Sequence, residues 1–247
     1  MGPDKKASSN ALRAAKILIA LGDASQPGLT LSELSARLND AKSAVHRALV
    51  ALGQFGFTEQ SGRRGAYRLG PSIYALANKS HSITDMVNFF RPILIAVGGK
   101  PGFPIYLMFG PGLVSLSPAS PAGTNPTPAM FEGIGGRLPL GVGLGGGAVL
   151  GQMDPISRRK IMEVNADRYR QWGVEAATID TEIAMLKEKG YVCGVRKNKN
   201  VDITNIAFFA EKAALYNSQA GISLLLPNEM DQESIQKLVS AVKKCME

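Results

Sequence analysis

The stretch from Thr30 to Leu69 constrains this chain more than any other, because two short amphipathic helices and a basic hairpin follow one another there. Thr30 with Glu33 forms the capping-box pattern, in which each side chain satisfies a free backbone donor at a helix start. Leu31, Leu34 and Leu38 then recur on one face, which predicts a helix from Leu31 to Leu38. Asn39 and Asp40 break it, and Asp40 is placed to cap a second helix from Ala41 to about Phe55. On that helix Val45, Ala48, Leu49, Leu52 and Phe55 share one side, while Ser43, His46, Arg47 and Gln54 fall on the other. A buried face, a short basic face and a tight turn before them suit reading of a DNA major groove.

The hairpin follows at once. Phe57 to Gln60 and Ala66 to Leu69 are strand-like, and Ser61-Gly62-Arg63-Arg64-Gly65 between them is a turn with two arginines at its tip. Glycines permit the reversal, and the arginines project where a phosphate backbone or minor groove would lie. Order and spacing together describe a winged helix-turn-helix. Its candidate DNA contacts are Lys42, Ser43, His46 and Arg47 on the second helix, with Arg63, Arg64 and Arg68 on the hairpin. Charge agrees with this: the chain carries +8, with 11 Lys/Arg against 5 Asp/Glu in residues 1–80 and 17 against 15 in the rest. A basic excess on the motif-bearing part is the electrostatic footprint of a nucleic-acid partner.

Four runs carry a family resemblance. They are Ala11-Leu12-Arg13-Ala14-Ala15-Lys16-Ile17-Leu18, Leu29-Thr30-Leu31-Ser32-Glu33-Leu34, Lys42-Ser43-Ala44-Val45-His46-Arg47-Ala48-Leu49 and Tyr67-Arg68-Leu69-Gly70. Together they resemble the DNA-binding domain of the IclR family of bacterial transcriptional regulators. That family usually has Ser-Thr where this chain has Ser43-Ala44. The resemblance covers about the first 80 residues and implies an operator-binding protein with a GAF-like effector domain after the winged helix. It also implies a linker helix that joins the domains and contributes to dimer contact.

At 247 residues, 45% hydrophobic and 19% charged, the chain has the composition of a soluble globular protein of one large or two modest domains. Residues 1–8 are expected to be a disordered lead-in, 9–70 the winged helix, 71–81 the linker helix, and 82–247 the effector-binding and oligomerisation domain. Ser9 or Asn10 is placed to cap a first helix, Ala11 to Leu21, with Leu12, Ala15 and Ile19 on one face. Ser72 to Lys79 reads as the linker helix, with Pro71 at its start. Ser82 with Asp85 is a second capping-box pattern, and Pro92 predicts a kink or break in the helix that follows.

Strand texture begins at Phe103. Phe103 to Phe109 and Leu113 to Leu116 flank a Gly110-Pro111-Gly112 hairpin signal, Ser117 to Pro128 reads as an exposed loop, and Ala148 to Met153 and Ser157 to Tyr169 read as helices. Ile179 to Lys189 is a helix stopped by Gly190, and Tyr191 to Val195, Ile203 to Phe209 and Ala220 to Leu226 are strands. Asp231 to Cys245 closes the chain as an amphipathic helix carrying Ile235, Leu238, Val239 and Val242. The expected class is therefore α+β, with an antiparallel sheet in the second part.

Gly141-Val142-Gly143-Leu144-Gly145-Gly146 satisfies G-x-G-x-x-G as a string. A dinucleotide site also needs a buried strand before it and a helix N-terminus after it, and Leu138-Pro139-Leu140 is too short and proline-broken for that strand. By the resemblance this region lies beside the effector pocket: Leu138, Pro139, Leu140, Gly146 and Ala148 match the family pattern, while Gly141, Gly143 and Gly147 replace its usual His, Thr and Lys. Asn205-Ile206-Ala207 stands for the family's Cys-Ile-Ala strand, and Ile222-Ser223 for its Ile-Ser strand. The effector-binding candidates are Leu138, Leu140, Gly141, Val142, Gly143, Asn205, Ile206, Ala207 and Ser223. With Gly143 and Leu225 in place of two hydroxyl residues, the expected pocket is larger and more apolar than the family norm, suited to an aromatic or medium-chain acid.

Cys193 and Cys245 make no disulfide framework, which points to a reducing, cytoplasmic setting. With His46 and His81 as the only histidines, no zinc pattern forms, and no cofactor is expected. Nucleophile-elbow and phosphate-loop strings are absent, and no signal core or membrane-length apolar run occurs. The leading reading is a ligand-responsive transcriptional regulator acting on double-stranded DNA as a homodimer or tetramer, not an enzyme. Its alternatives are a dinucleotide-binding enzyme using residues 141–147, and a winged helix serving as a protein-interaction module.

Overall fold

The structure is a computed structural model that describes residues 8–24, 27–62, 65–77, 79, 81–98, 103–110, 114–119, 137–198, 201–227 and 230–246. Two compact units divide it, residues 1–81 and 82–247.

In the N-terminal unit α1 (Ser9–Gly22), α2 (Leu31–Leu38) and α3 (Lys42–Gln54) precede a two-stranded antiparallel sheet of β1 (Thr58–Gln60) and β2 (Tyr67–Leu69), and α4 (Pro71–Ala77) ends it. The capping box is present in full at α2: the Glu33 amide donates to Thr30 Oγ1 at 3.3 Å, and the Thr30 amide to Glu33 Oε2 at 2.7 Å. Asn39, at φ 49°, stops the helix in the left-handed region. Ile17, Ala20, Leu21, Leu34, Val45, Leu49 and Tyr67 form the dry centre, each large apolar side chain contributing about 1.5–3 kcal/mol.

Three expectations fail here. The α1 cap is Ser8, without a side-chain capping bond, and the buried face is Ile17, Ala20 and Leu21, while Leu12 and Ala15 are exposed. An apolar residue lies on every side of α1, so periodicity alone cannot set its phase. Asp40 does not cap α3. The cap residue is Ala41, and the Asp40 carboxylate instead takes Arg13 Nε at 2.6 Å. Phe55, placed on the buried face from sequence, is exposed, because the helix ends at Gln54. A further strand pairing went unread: Leu29 and Tyr67 form an antiparallel bridge that ties the segment before α2 to the wing.

The C-terminal unit is a three-layer α+β arrangement. Its sheet has six strands in the order β5-β4-β3-β8-β7-β6, with antiparallel neighbours throughout. The strands are β3 (Ile105–Phe109), β4 (Val114–Ala119), β5 (Arg137–Pro139), β6 (Val192–Asn198), β7 (Val201–Phe209) and β8 (Ala220–Leu226). The helices α5 (His81–Gly98) and α9 (Gln232–Met246) cover one face, meeting Ile105, Leu107, Ile206, Phe208, Ile222 and Leu224. Tyr106, Met108, Ile203 and Leu225 face the other way, under α6 (Leu144–Gly151), α7 (Pro155–Gln171) and α8 (Ala176–Lys189). Since successive strand residues point to opposite faces and both faces are covered, β3 and β8 are buried along their whole length.

Differences from expectation are local. Ser82 lies inside α5, so it does not cap it, and the helix is continuous through Pro92. Ser117 to Ala119 belong to β4 rather than to a loop. The helix expected from Ala148 begins at Leu144 and takes in Gly145, Gly146 and Gly147. Among the described residues, no helix is long and apolar enough to cross a membrane.

Candidate functional site

On α3 the polar face points away from the core of the N-terminal unit. Lys42, Ser43, His46 and Arg47 are all exposed, while Val45 and Leu49 on the opposite side are buried. Neither Lys42 nor Arg47 makes an ion pair among the described residues. The approach to α3 is fixed by Arg13, whose guanidinium holds the Asp40 carboxyl below the usual carboxylate range, while Asp40 Oδ1 accepts the Ala41 amide at 2.8 Å. Beside α3 the wing strands pair Glu59 with Arg68, and the Arg68 side chain, half exposed, meets Glu59 Oε1 at 2.5 Å. Arg68 thus has an internal partner that sequence alone did not reveal. Arg63 and Arg64 lie outside the described residues.

In the C-terminal unit the glycine-rich stretch is a buried helix and not a phosphate loop. All eight residues of α6 are buried, and the strand before it, β5, is an antiparallel edge strand. Its glycines serve close packing: a Cβ on Gly145 would stand 2.8 Å from Met108 Cγ and 2.9 Å from Ser223 Cβ. Gly221 of β8 meets the helix from below, where a Cβ would come 2.6 Å from the Gly145 carbonyl oxygen. That geometry removes the dinucleotide reading, which needs the glycine turn open to a pyrophosphate.

Eight of the nine effector candidates fall in two neighbouring places. Leu138 ends in β5, and Leu140, Gly141, Val142 and Gly143 form the turn into α6. Asn205, Ala207 and Ser223 lie on the sheet face beneath α6, whereas Ile206 points to the opposite face among α5 and α9. Burial of these residues is close to complete: Asn205 and Ser223 are each 2% exposed, and the Asn205 amide donates to the Ile203 carbonyl at 2.9 Å. A Cβ on Gly141 would touch Ile179, Tyr169 and Leu150 within 3.1 Å, so replacing the family's histidine there opens no room. At Gly147, by contrast, a Cβ would meet nothing within 4 Å.

Two side chains missed from sequence hold the turn. Tyr169 Oη donates to the Leu140 carbonyl at 2.5 Å, and burial pushes its phenol up to about 12. Arg196 Nε donates to the Val142 carbonyl at 2.7 Å, while its Nη1 and Nη2 take the two Glu182 oxygens at 2.7 and 2.5 Å. Both ends of this ion pair are buried. The signals were present: Glu182 sits on the apolar stripe of Ile179, Ile183 and Leu186, and Arg196 has the parity of Val192 on β6.

Comparison with known proteins follows the same division. The family model of the IclR helix-turn-helix domain matches residues 11–62. An HTH-type transcriptional regulator, BhcR of Paracoccus denitrificans, is 27% identical over 169 residues, covering 66% of this chain and 59% of its own length. A second, from Mycobacterium tuberculosis, is 43% identical over 83 residues, covering 33% of this chain and 32% of its own length. Thus the chain spans about three-fifths of the first curated relative it matches and a third of the second. The crystal structure of an IclR transcriptional regulator from Alicyclobacillus acidocaldarius matches with a TM-score of 0.69 at 18% identity, over 98% of this chain and 97% of that one. That of an IclR homolog from Microbacterium hydrocarbonoxydans, complexed with 4-hydroxybenzoate, matches with a TM-score of 0.68 at 18% identity over 96% of each. These two likenesses show the fold across both units.

Proposed function

We propose that the chain is a ligand-responsive transcriptional regulator of the IclR family, whose helix-turn-helix model matches residues 11–62: the N-terminal unit reads an operator, and the C-terminal unit binds a small organic acid that alters that reading. One observation carries the proposal. The polar face of α3 bears Lys42, Ser43, His46 and Arg47 in the open, two of them cations without an ion pair among the described residues. Such a face meets phosphates and base edges without first breaking internal contacts. Arg47 is the base reader in this scheme, since a bidentate contact to guanine discriminates by about 1–3 kcal/mol. Arg63 and Arg64 hold the backbone or minor groove, and Arg68 joins them from its pairing with Glu59.

Pairing of the chain with a second copy completes the reading, because two recognition helices spaced about 34 Å apart reach consecutive major grooves. A protein-interaction role for the winged helix would not need this basic face. The organic-acid class is suggested by the 4-hydroxybenzoate bound to the Microbacterium homolog.

Operator selection from a random library, followed by binding titrations at several salt concentrations, tests the proposal. Arg47→Ala should relax sequence preference, while Arg63→Ala should weaken all sequences alike and flatten the salt slope. Selection of no sequence above background, or unchanged binding by the Arg47→Ala/Arg63→Ala double variant, would refute it.

A further inference from the structure

An open groove of about 670 Å³ runs between α7 and α8. Met162 and Ile183, both buried, form its floor, and Ala166, Ala176 and Ala184 keep its walls low. Arg158, Arg159 and Lys187 also line it, and none of the three makes an ion pair among the described residues. We propose that this groove docks an acidic amphipathic helix of a partner protein, whose apolar stripe meets Met162 and Ile183 while its carboxylates meet the three cations.

The two ends of the groove differ in charge. Ala166, Ala176 and Asp180 lie close to the connection between α7 and α8, whereas Arg158, Arg159 and Lys187 lie several turns away from it. A helix is polar in the same sense, positive at its N-terminus and negative at its C-terminus. An occupant with its C-terminal end at the three cations and its N-terminal end at Asp180 therefore complements both. Clustering Arg158, Arg159 and Lys160 near the start of α7 gains nothing from that helix, whose own dipole favours anions there.

The apolar surface continues past the groove. Ile156, 82% exposed, and Lys160 line an adjoining depression that shares Pro155, Arg159 and Glu163 with it. Exposed apolar side chains rimmed by charge mark an interaction surface. A small anion would use the cations and leave the floor bare. Nucleic acid, anionic along its whole length, would meet Glu163 and Asp180 unfavourably. An amphipathic helix uses floor and rim together, in the helix-in-groove mode of recognition. None of the lining residues belongs to α3 or to the turn before α6, so this surface is separate from operator reading and from the effector candidates.

Fluorescence anisotropy of a labelled peptide of about 18 residues, five helical turns long, tests the assignment on the full chain without DNA. Its leucines repeat at helical spacing, and glutamates flank them toward its C-terminus. That peptide should bind, and bind more weakly as salt rises. A scrambled peptide of the same composition, and one with lysine in place of each glutamate, should each bind at least about tenfold more weakly. Arg159→Glu/Lys187→Glu, which changes two exposed residues, should reverse the preference between the acidic and the lysine peptides. Ala184→Trp, an exposed substitution that fills the groove, should abolish binding with the melting profile unchanged. Lys243→Glu, outside the groove, should bind as the wild type does. Equal binding of the scrambled peptide, no response to Arg159→Glu/Lys187→Glu, or binding that survives Ala184→Trp overturns the proposal. So does self-association of the full chain that Ala184→Trp removes while the acidic peptide fails to bind, a result that assigns the groove to a second copy. Operator titrations are run separately, so the regulator reading stands or falls apart from these outcomes.

Discussion

Helices α3 and α6 are opposite solutions to packing a helix. Of the 13 residues in α3, Val45 and Leu49 are buried, and much of the rest faces water. All eight residues of α6 are buried, four of them glycines. On α3 a narrow apolar stripe supplies the attachment, so the side chains of the outer face are free to be selected by another molecule. On α6 the backbone itself lies against the sheet, and the missing side chains of Gly145 and Gly221 set the spacing. Exposed helices carry recognition at little cost to the fold; a helix dry on every side has no such freedom.

The contrast breaks most visibly at Gly145. Gly145→Val puts methyls where Met108 and Ser223 already stand, and should destabilise the C-terminal unit by about 3 kcal/mol in denaturant melts. A loss below about 0.5 kcal/mol would mean that the helix rides higher on the sheet than described. Next comes the turn before α6. Tyr169→Phe should cost about 1 kcal/mol by leaving the Leu140 carbonyl without its donor. Because folding raises the Tyr169 pKa from the ordinary 10.0 to about 12, its contribution is complete below pH 10 and fades as pH rises through about 12. Ultraviolet titration of the phenolates, comparing wild type with Tyr169→Phe, should show one tyrosine ionising late; a missing late step refutes the clamp.

A smaller effect separates the glycines of α6 from one another. Gly147→Ala meets nothing within 4 Å and should stabilise by roughly 0.5–1 kcal/mol, the helix-propensity gain alone. The same measurement on α3 gives the smallest change. Arg47→Ala should alter the unfolding midpoint by less than about 0.5 kcal/mol while changing operator preference. A large stability loss there would show that the outer face is structural after all.

Where one face of an element is wet, the pattern could be read directly. The stripes of α2, α3 and α9, the capping box at Thr30 and Glu33, and the β1–β2 hairpin were legible for that reason. Helix α6 was not, because burial on all sides leaves no period and glycine runs imitate a loop. Its first half was accordingly placed outside any helix. Arg196 escaped for a different reason. Ending its strand at Val195 hid the alternation of Val192, Gly194 and Arg196, although β6 runs on to Asn198. Its partner Glu182 was a carboxylate within an apolar stripe, a signal overlooked because spacing along the chain gave it no nearby cation. The α3 candidates needed only a helical wheel, while the chemistry of the C-terminal unit depends on contacts between residues far apart in sequence, such as Arg196 and Val142, 54 apart.

The bridge between Leu29 and Tyr67 bears on how tightly the N-terminal unit can hold DNA. Its two main-chain bonds, 3.0 Å from the Leu29 amide and 2.7 Å from the Tyr67 amide, stitch the base of the wing to the segment entering α2. Fixing the backbone of a single residue costs about 1–2 kcal/mol in lost disorder. Here that ordering is done during folding, so under the proposed function the base of the wing would meet an operator already set relative to the helices. Charge neutralisation at the phosphates can then appear as affinity instead of being consumed in arranging the protein.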